Sequence, residues 1–359
     1  MELTLVPLLL PLIQNAFDLT IGQLAWLFNS YGIAVAAGVL IGGVLGDAIN
    51  VRRVFAGGVL AFALGSLLVA AASSFEMMIA GRIVQGVGGG VFSPLIPILL
   101  TRASPDQPGK VLIIWGSIAG YVAAFAPLLL SGLFAISNWN LAFLGFAVIS
   151  LLALVVVHLG EIDPASTTRV KTTQSLLRIF QTSKLWLMYG YVFCTYGCIT
   201  YFLFRMPLWL EDSGYQIVGI GLVLSSMWLS FSLVGTVMRN LVDKPAVRLI
   251  LVLAPLFIAG GFQLANLGDE MILLIFASIL IGCGFACSNA PSTQFILSFA
   301  PKSSSALSAS LDITFARLGG VFTVAVLAQS SMDVAVYTTL VLSAIGTLFA
   351  ILATRRTVG

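Results

Sequence analysis

A chain of 359 residues that is 59% hydrophobic and only 9% charged carries more apolar surface than a soluble core of that size can bury. Its mean hydropathy of +1.07, with apolar runs of about 20 residues recurring almost back to back, excludes a soluble fold and describes a polytopic helical membrane protein. The formal net charge of +3 sits in short basic loops suited to anionic headgroups, so the bilayer is an expected partner and nucleic acid is not.

Apolar runs bounded by polar breaks predict six spans over residues 1–16, 23–45, 54–74, 77–100, 111–134 and 139–160. Six more follow over 185–209, 216–238, 248–267, 271–293, 305–329 and 334–354. Strand alternation is absent, which argues against an outer-membrane barrel. The polar stretch Glu161 to Lys184 divides the chain into an N-terminal six-helix bundle (1–160), a linker (161–184) and a C-terminal six-helix bundle (185–359). Within the linker, Gln174 to Phe180 either forms a short amphipathic helix on the membrane surface or is plain solvated chain.

Of the seventeen Lys and Arg residues, Arg82, Arg205 and Arg317 fall inside spans. All the others, from Arg52 and Arg53 to Arg355 and Arg356, lie in alternate loops, the linker and the tail. The opposite loops hold only acids: Asp18, Glu76, Glu211, Asp212, Asp269, Glu270 and Asp333. The positive-inside rule therefore predicts cytoplasmic basic loops and termini in a multi-pass protein of the cell (inner or plasma) membrane.

The first span is short. Sixteen residues at about 1.5 Å per residue reach about 24 Å, less than the hydrocarbon thickness. Helix one thus reads as lacking its first half, with translation beginning upstream of Met1 or the chain being a fragment. The four cysteines form two i,i+4 pairs, Cys194/Cys198 and Cys283/Cys287, and read as buried thiols. The single histidine, His158, ends an apolar run. No metal site, cofactor, acid–base dyad or nucleotide-binding loop is expected from these residues, so the chain does not read as an enzyme.

The two halves echo each other, the trace of a duplicated transporter. Gly43 to Asp47 ends the second span as Gly235 to Arg239 ends the eighth, and Gly86-Val-Gly88 in the fourth span parallels Gly282-Cys-Gly284 in the tenth. The loop after the second span reads Gly43-Val-Leu45-Gly-Asp47-Ala-Ile-Asn-Val-Arg52-Arg53, close to the pattern G-x-L-x-D-R-x-G-R-[KR]. The fourth span contains Arg82-Ile-Val-Gln85-Gly86-Val-Gly88, matching R-x-x-Q-G-x-G at every defined position. In the fifth span Pro127, followed by Trp139, fits the spacing of G-P-x-x-G-G and W-R-W-x-F, although Ala126, Leu130 and Ser131 replace the glycines. The N-terminus, Glu2-Leu-Thr4 through Leu10-Pro11, resembles D-x-T-x-x-x-x-x-L-P.

On these motifs the chain resembles the major facilitator superfamily, closest to its drug:proton antiporter branch. The resemblance implies an all-α, twelve-helix fold of two pseudo-symmetric six-helix bundles whose first helix appears here truncated. It implies that Asp47, Arg52 and Arg53 latch the cytoplasmic gate by charge-assisted hydrogen bonds, that Pro127 bends the fifth helix, and that Arg82, with Gln85, serves proton coupling. It places Glu2 near the midplane, where desolvation disfavours a charged carboxyl and a proton could be carried. Helices one, four, seven and ten line the cavity in this fold, so Tyr189, Phe193 and Tyr196 fall near substrate or in packing. In the eleventh span Asp312 and Arg317 stand about 140° apart around the helix, too far for an i,i+4 pair; either lines the route or holds the bundle.

The function so implied is secondary active transport of a small organic solute by alternating access, as proton-coupled efflux by a monomer. Uptake or facilitated transport of an organic anion or metabolite is the alternative, which Arg317 would serve. A truncated membrane protein that no longer transports is a third reading, supported by the short first helix.

Overall fold

A backbone that crosses hydrocarbon must satisfy its own hydrogen bonds, and helices account for most of the described residues. The computed structural model describes residues 2–48, 50–104, 106–135, 138–159, 181–238, 246–301 and 305–355. In order, the helices are α1 (Glu2–Phe17), α2 (Ile21–Ala48), α3 (Val51–Ala70), α4 (Phe75–Phe92), α5 (Ile96–Ala103), α6 (Pro108–Phe134) and α7 (Asn140–Leu159). The second set is α8 (Ser183–Asp212), α9 (Ile217–Met238), α10 (Val247–Ala265), α11 (Met271–Phe299), α12 (Ser305–Leu327) and α13 (Met332–Thr354). Among the described residues there is no strand, and eleven stretches are long and apolar enough to cross a membrane. The shorter apolar α1 precedes them, and α4 and α5 share one stretch, Phe75–Thr101.

Two expected spans end differently. The fourth is broken at Ser93–Leu95 by a 3-10 turn, because Pro94 and Pro97 each remove a backbone donor where α4 would continue. The tenth does not stop near residue 293 but runs as α11 to Phe299, carrying Pro291 inside it. Most of the expected linker, and its proposed surface helix, lies outside the described residues.

Small residues set how closely the helices approach, as expected where lipid supplies no hydrophobic force between them. Gly38 of α2 meets Gly90 of α4 so tightly that a Cβ on Gly90 would lie 2.8 Å from the Gly38 Cα. The glycine echo in the sequence is an echo in packing. On α4, Gly86 packs on the α2 backbone at Tyr31 and Gly88 on α3 at Gly58 and Phe62. On α11, Gly282 packs on α9 at Met227 and Gly284 on α10 at Ala254 and Ile258. The same glycine pair thus seats the same two neighbours in each half.

The halves meet along two long seams, α2 on α12 and α6 on α9, with α1 reaching α8. On the first seam Asn29 Nδ2 donates to the Val321 carbonyl at 3.0 Å. On the second, the Leu128 N–H donates to Ser225 Oγ at 3.0 Å, and Gly221 lies against the Pro127 carbonyl. Between α1 and α8, Asn15 Nδ2 donates to Glu211 Oε1 at 2.7 Å. Asp18, Glu76, Glu211 and Asp269 mark one end of the bundle, the acidic end, and Arg52, Lys184, Arg248 and Arg355 mark the other, the basic end.

Adding a branched side chain at the tightest helix crossing should overpack it, at a cost of about 1–3 kcal/mol or more. Gly90→Val is expected to lower the thermal unfolding midpoint of the purified protein clearly. Gly57→Ala, where an added methyl meets nothing within 4 Å, is expected to leave the midpoint unchanged or raise it.

Candidate functional site

The site grows from one close contact. A Cβ on Gly65 of α3 would stand 2.6 Å from the Gln85 Cα, so α3 and α4 lie nearly backbone to backbone there. That contact brings Ser66, the next residue, within 2.9 Å of Gln85 Nε2, which donates to its hydroxyl oxygen. Ser66 Oγ in turn donates to the Phe62 carbonyl at 2.7 Å. Gln85 stands one turn along α4 from Arg82, and its Oε1 accepts from Arg82 Nη1 at 2.7 Å. The other terminal nitrogen, Nη2, forms an ion pair with Glu2 Oε1 of α1 at 2.7 Å. Tyr31 of α2 closes the cluster from the side, its ring centroid 4.2 Å from the guanidinium carbon.

Arg82 is 1% exposed, so it does not snorkel to the surface; it is held by a carboxylate, an amide and an aromatic face. Glu2 brings neutrality. The pair is the strongest kind of hydrogen bond available here, because both partners are charged.

A small cavity of about 20 Å³, room for roughly one water, adjoins the pair. Glu2, Asn29, Tyr31 and Arg82 line it from the first half, and Thr200 and Arg317 from the second. Among the described residues Arg317 has no carboxylate partner. Three buried atoms around the same hollow are also without a hydrogen-bond partner: Glu2 Oε2, Asn29 Oδ1 and Arg82 Nε.

Asp312 faces elsewhere. Thr293 of α11 donates its hydroxyl to Asp312 Oδ2 at 2.7 Å, and Asp312 and Arg317 do not pair. Of the three α8 aromatics expected near substrate, Tyr196 hydrogen-bonds Asn289 Oδ1 and sets its ring edge-on to Phe285. Tyr189 is fully buried, stacked on Phe315 of α12 at 5.1 Å with its hydroxyl donating to the Ser308 carbonyl at 3.3 Å. Phe193 rests on Phe322, and its backbone carbonyl is seated on Gly319. Tyr189 and Phe193 therefore belong to the α8–α12 contact, and neither lines the small cavity.

Of the expected latch, only the arginine side chains are among the described residues. Arg52 Nη2 donates to the Val157 and His158 carbonyls at 2.5 and 2.6 Å, capping the end of α7, where free carbonyls and the helix dipole favour a cation. Arg53 is exposed, and the side chain of Asp47 lies outside the described residues. Pro127 sits on the α6–α9 seam, where the bond from Leu128 to Ser225 crosses between halves. Arg205 forms a 3.6 Å surface pair with Asp212. A second hollow of about 230 Å³ opens at the basic end beside Lys184, Arg248, Phe299 and Arg355, and shares no lining residue with the Glu2–Arg82 cluster. Among the described residues no group of three metal-ligating side chains occurs.

Sequence reasoning names Glu2, Arg82, Gln85 and Arg317 but not Ser66, Tyr31, Asn29 or Thr200. The available signal for Ser66 is its place beside Gly65, a glycine in a span that faces another helix.

Removing one member of a buried ion pair leaves the other uncompensated, a cost of about 3–5 kcal/mol. Glu2→Gln and Arg82→Met are each expected to destabilise the purified protein by about that much. The double variant should lose distinctly less than the sum, and the coupling in a double-mutant cycle of unfolding midpoints is the check.

Comparison with known proteins agrees with this architecture. Residues 1–324 match the family model described as Major Facilitator Superfamily. A multidrug resistance protein B homolog of Mycobacterium tuberculosis is 36% identical over 140 residues, 39% of this chain and 26% of that protein. The methylenomycin A resistance protein of Bacillus subtilis is 25% identical over 181 residues, 49% of this chain and 39% of that protein. The tetracenomycin C resistance and export protein of Streptomyces glaucescens is 25% identical over 210 residues, 58% of this chain and 37% of that protein. The chain thus spans about a quarter to two fifths of the length of these relatives. In fold it is similar to an inward-open xylose transporter XylE of E. coli, with a TM-score of 0.78 at 13% identity over 100% of this chain and 93% of that one. With the matched helices covering most of its length, the chain belongs to the major facilitator superfamily.

Proposed function

We propose that this protein is a secondary active transporter that exports a small organic solute in exchange for protons, by alternating access to a midplane site. The observation that carries the reading is the Glu2–Arg82 pair, a carboxylate buried on the short apolar helix α1 and bordering a cavity lined from both halves. Protonation of Glu2 removes its attraction for Arg82 and its capacity to hold a positive group. A proton and a cationic group on the solute therefore compete for one carboxylate, which is what exchange requires. Asp312 is the second carboxylate available for coupling. The resistance and export relatives support the direction of transport.

In this reading the basic end faces the cytoplasm, as do both termini, and residues 161–184 link two six-helix bundles in a monomer. Pro127 and the Leu128–Ser225 bond form a pivot on which the bundles rock, and Arg52 fixes α3 to α7 so that the N-terminal bundle moves as one body. The solute leaves chemically unchanged. Facilitated transport of an organic anion is a second reading, favoured by the unpaired Arg317.

Proteoliposomes holding a trapped pH-sensitive dye test the exchange. A panel of antibiotics and small metabolites is added under imposed pH gradients of either sign. At least one compound is expected to drive proton movement opposite to its own and to reverse with the gradient, and Glu2→Gln should abolish the proton signal. Solute flux indifferent to the gradient selects the facilitated reading and overturns exchange.

A further inference from the structure

The small cavity is polar in an uneven way. On the side of the first half its unsatisfied atoms are two acceptors, Glu2 Oε2 and Asn29 Oδ1, and one donor, Arg82 Nε, which belongs to the cation that Glu2 already neutralises; all three are buried and without a hydrogen-bond partner. On the side of α12 it presents Arg317, a donor group with a full positive charge and, among the described residues, no carboxylate to meet it. Thr200 of α8 adds a hydroxyl between them. Buried polar groups left unpaired within a span are costly, so this inventory describes the complement that would satisfy it.

We infer that the solute is zwitterionic: a small molecule with an ammonium or other cationic N–H group at one end and a carboxylate or comparable anion at the other. The ammonium donates to Glu2 Oε2 and Asn29 Oδ1, and the anion accepts from the Arg317 guanidinium. This deepens the proposed transport function and rests on it for the direction of movement.

A purely cationic solute leaves Arg317 unmet in hydrocarbon and adds charge beside it. A purely anionic solute satisfies Arg317 but leaves the Glu2 and Asn29 acceptors unpaired, and it has nothing a proton could displace. Only the bipolar solute meets both sides and competes with the proton at Glu2. In the state described here the hollow has room for roughly one water, so such a solute is admitted only when the halves part along the cavity. Its two charges then contact opposite halves, α1 and α2 on one and α12 on the other, and binding draws the halves together.

Three probes of one skeleton separate the charges: phenylalanine, phenylethylamine and 3-phenylpropionate. Equilibrium binding to the purified protein at neutral pH is measured for each. Phenylalanine is expected to bind at least about tenfold more tightly than either analogue. Arg317→Gln should abolish the preference, lowering phenylalanine while phenylethylamine tightens as the like charge beside it is removed. Arg317→Lys should keep much of the preference, and it guards against a variant that merely misfolds. Equal binding of the three, binding of none, or a ranking untouched by Arg317→Gln overturns the inference. Binding with this ranking but no flux in vesicles refutes transport and leaves the zwitterion site standing. Proton-driven flux of phenylethylamine without discrimination does the reverse.

Discussion

A guanidinium within a transmembrane span must be paired or wet, and the way Arg82 is paired organises this molecule. Its Nη2 is answered by Glu2, its Nη1 by Gln85 and its face by Tyr31, while Ser66 of α3 holds Gln85 in place, so four helices converge on this cluster. That convergence needs short distances between backbones. Glycines supply them, with Gly65 against Gln85, Gly86 against Tyr31, and Gly90 against Gly38. The packing and the charge are parts of one arrangement: widening the α3–α4 crossing would pull Ser66 off Gln85 and loosen the geometry around the ion pair.

The second half uses the same frame without the arginine. Gly282 and Gly284 seat α11 on α9 and α10 as Gly86 and Gly88 seat α4 on α2 and α3. Ser278 stands four residues before Gly282, where Arg82 stands before Gly86. The polar groups of that half lie instead on α12 and along α11, with Asp312 on Thr293 and Asn289 on Tyr196. A scaffold with unequal chemistry in its two halves concentrates the buried ion pair in one half and presents from the other a cation, Arg317, that meets no carboxylate among the described residues. The hollow between them is lined by charged groups from both halves.

Much of the fold is legible in the sequence because hydrocarbon imposes length and apolarity on every span, and charge asymmetry orders the loops. The limits of that legibility are local. Pro94 and Pro97 divide a continuous apolar run into α4 and α5, and Pro291 leaves α11 intact, so proline alone does not mark an end. Arg82 and Glu2 are each recognisable as costly charges, yet their pairing depends on the fold bringing two side chains from α1 and α4 within reach, which no local pattern records. Tyr189 and Phe193 illustrate a different limit. About 72% of the apolar window of α8 is buried, so its faces carry no contrast from which packing and cavity positions could be told apart. Arg52 suggests a carboxylate partner by its motif, but it caps the carbonyl end of α7, a partner invisible before the helix ends are known.

The account stands or falls on two bundles that exchange between arrangements around the Glu2–Arg82 pair. Spin labels at positions 53 and 248, exposed at the basic end of the first and second halves, report their separation directly. In liposomes, pulsed electron–electron distance measurements should give two populations whose ratio shifts between acidic and alkaline pH, with Glu2→Gln fixed near the acidic ratio. A single distance that ignores both pH and the substitution would contradict it.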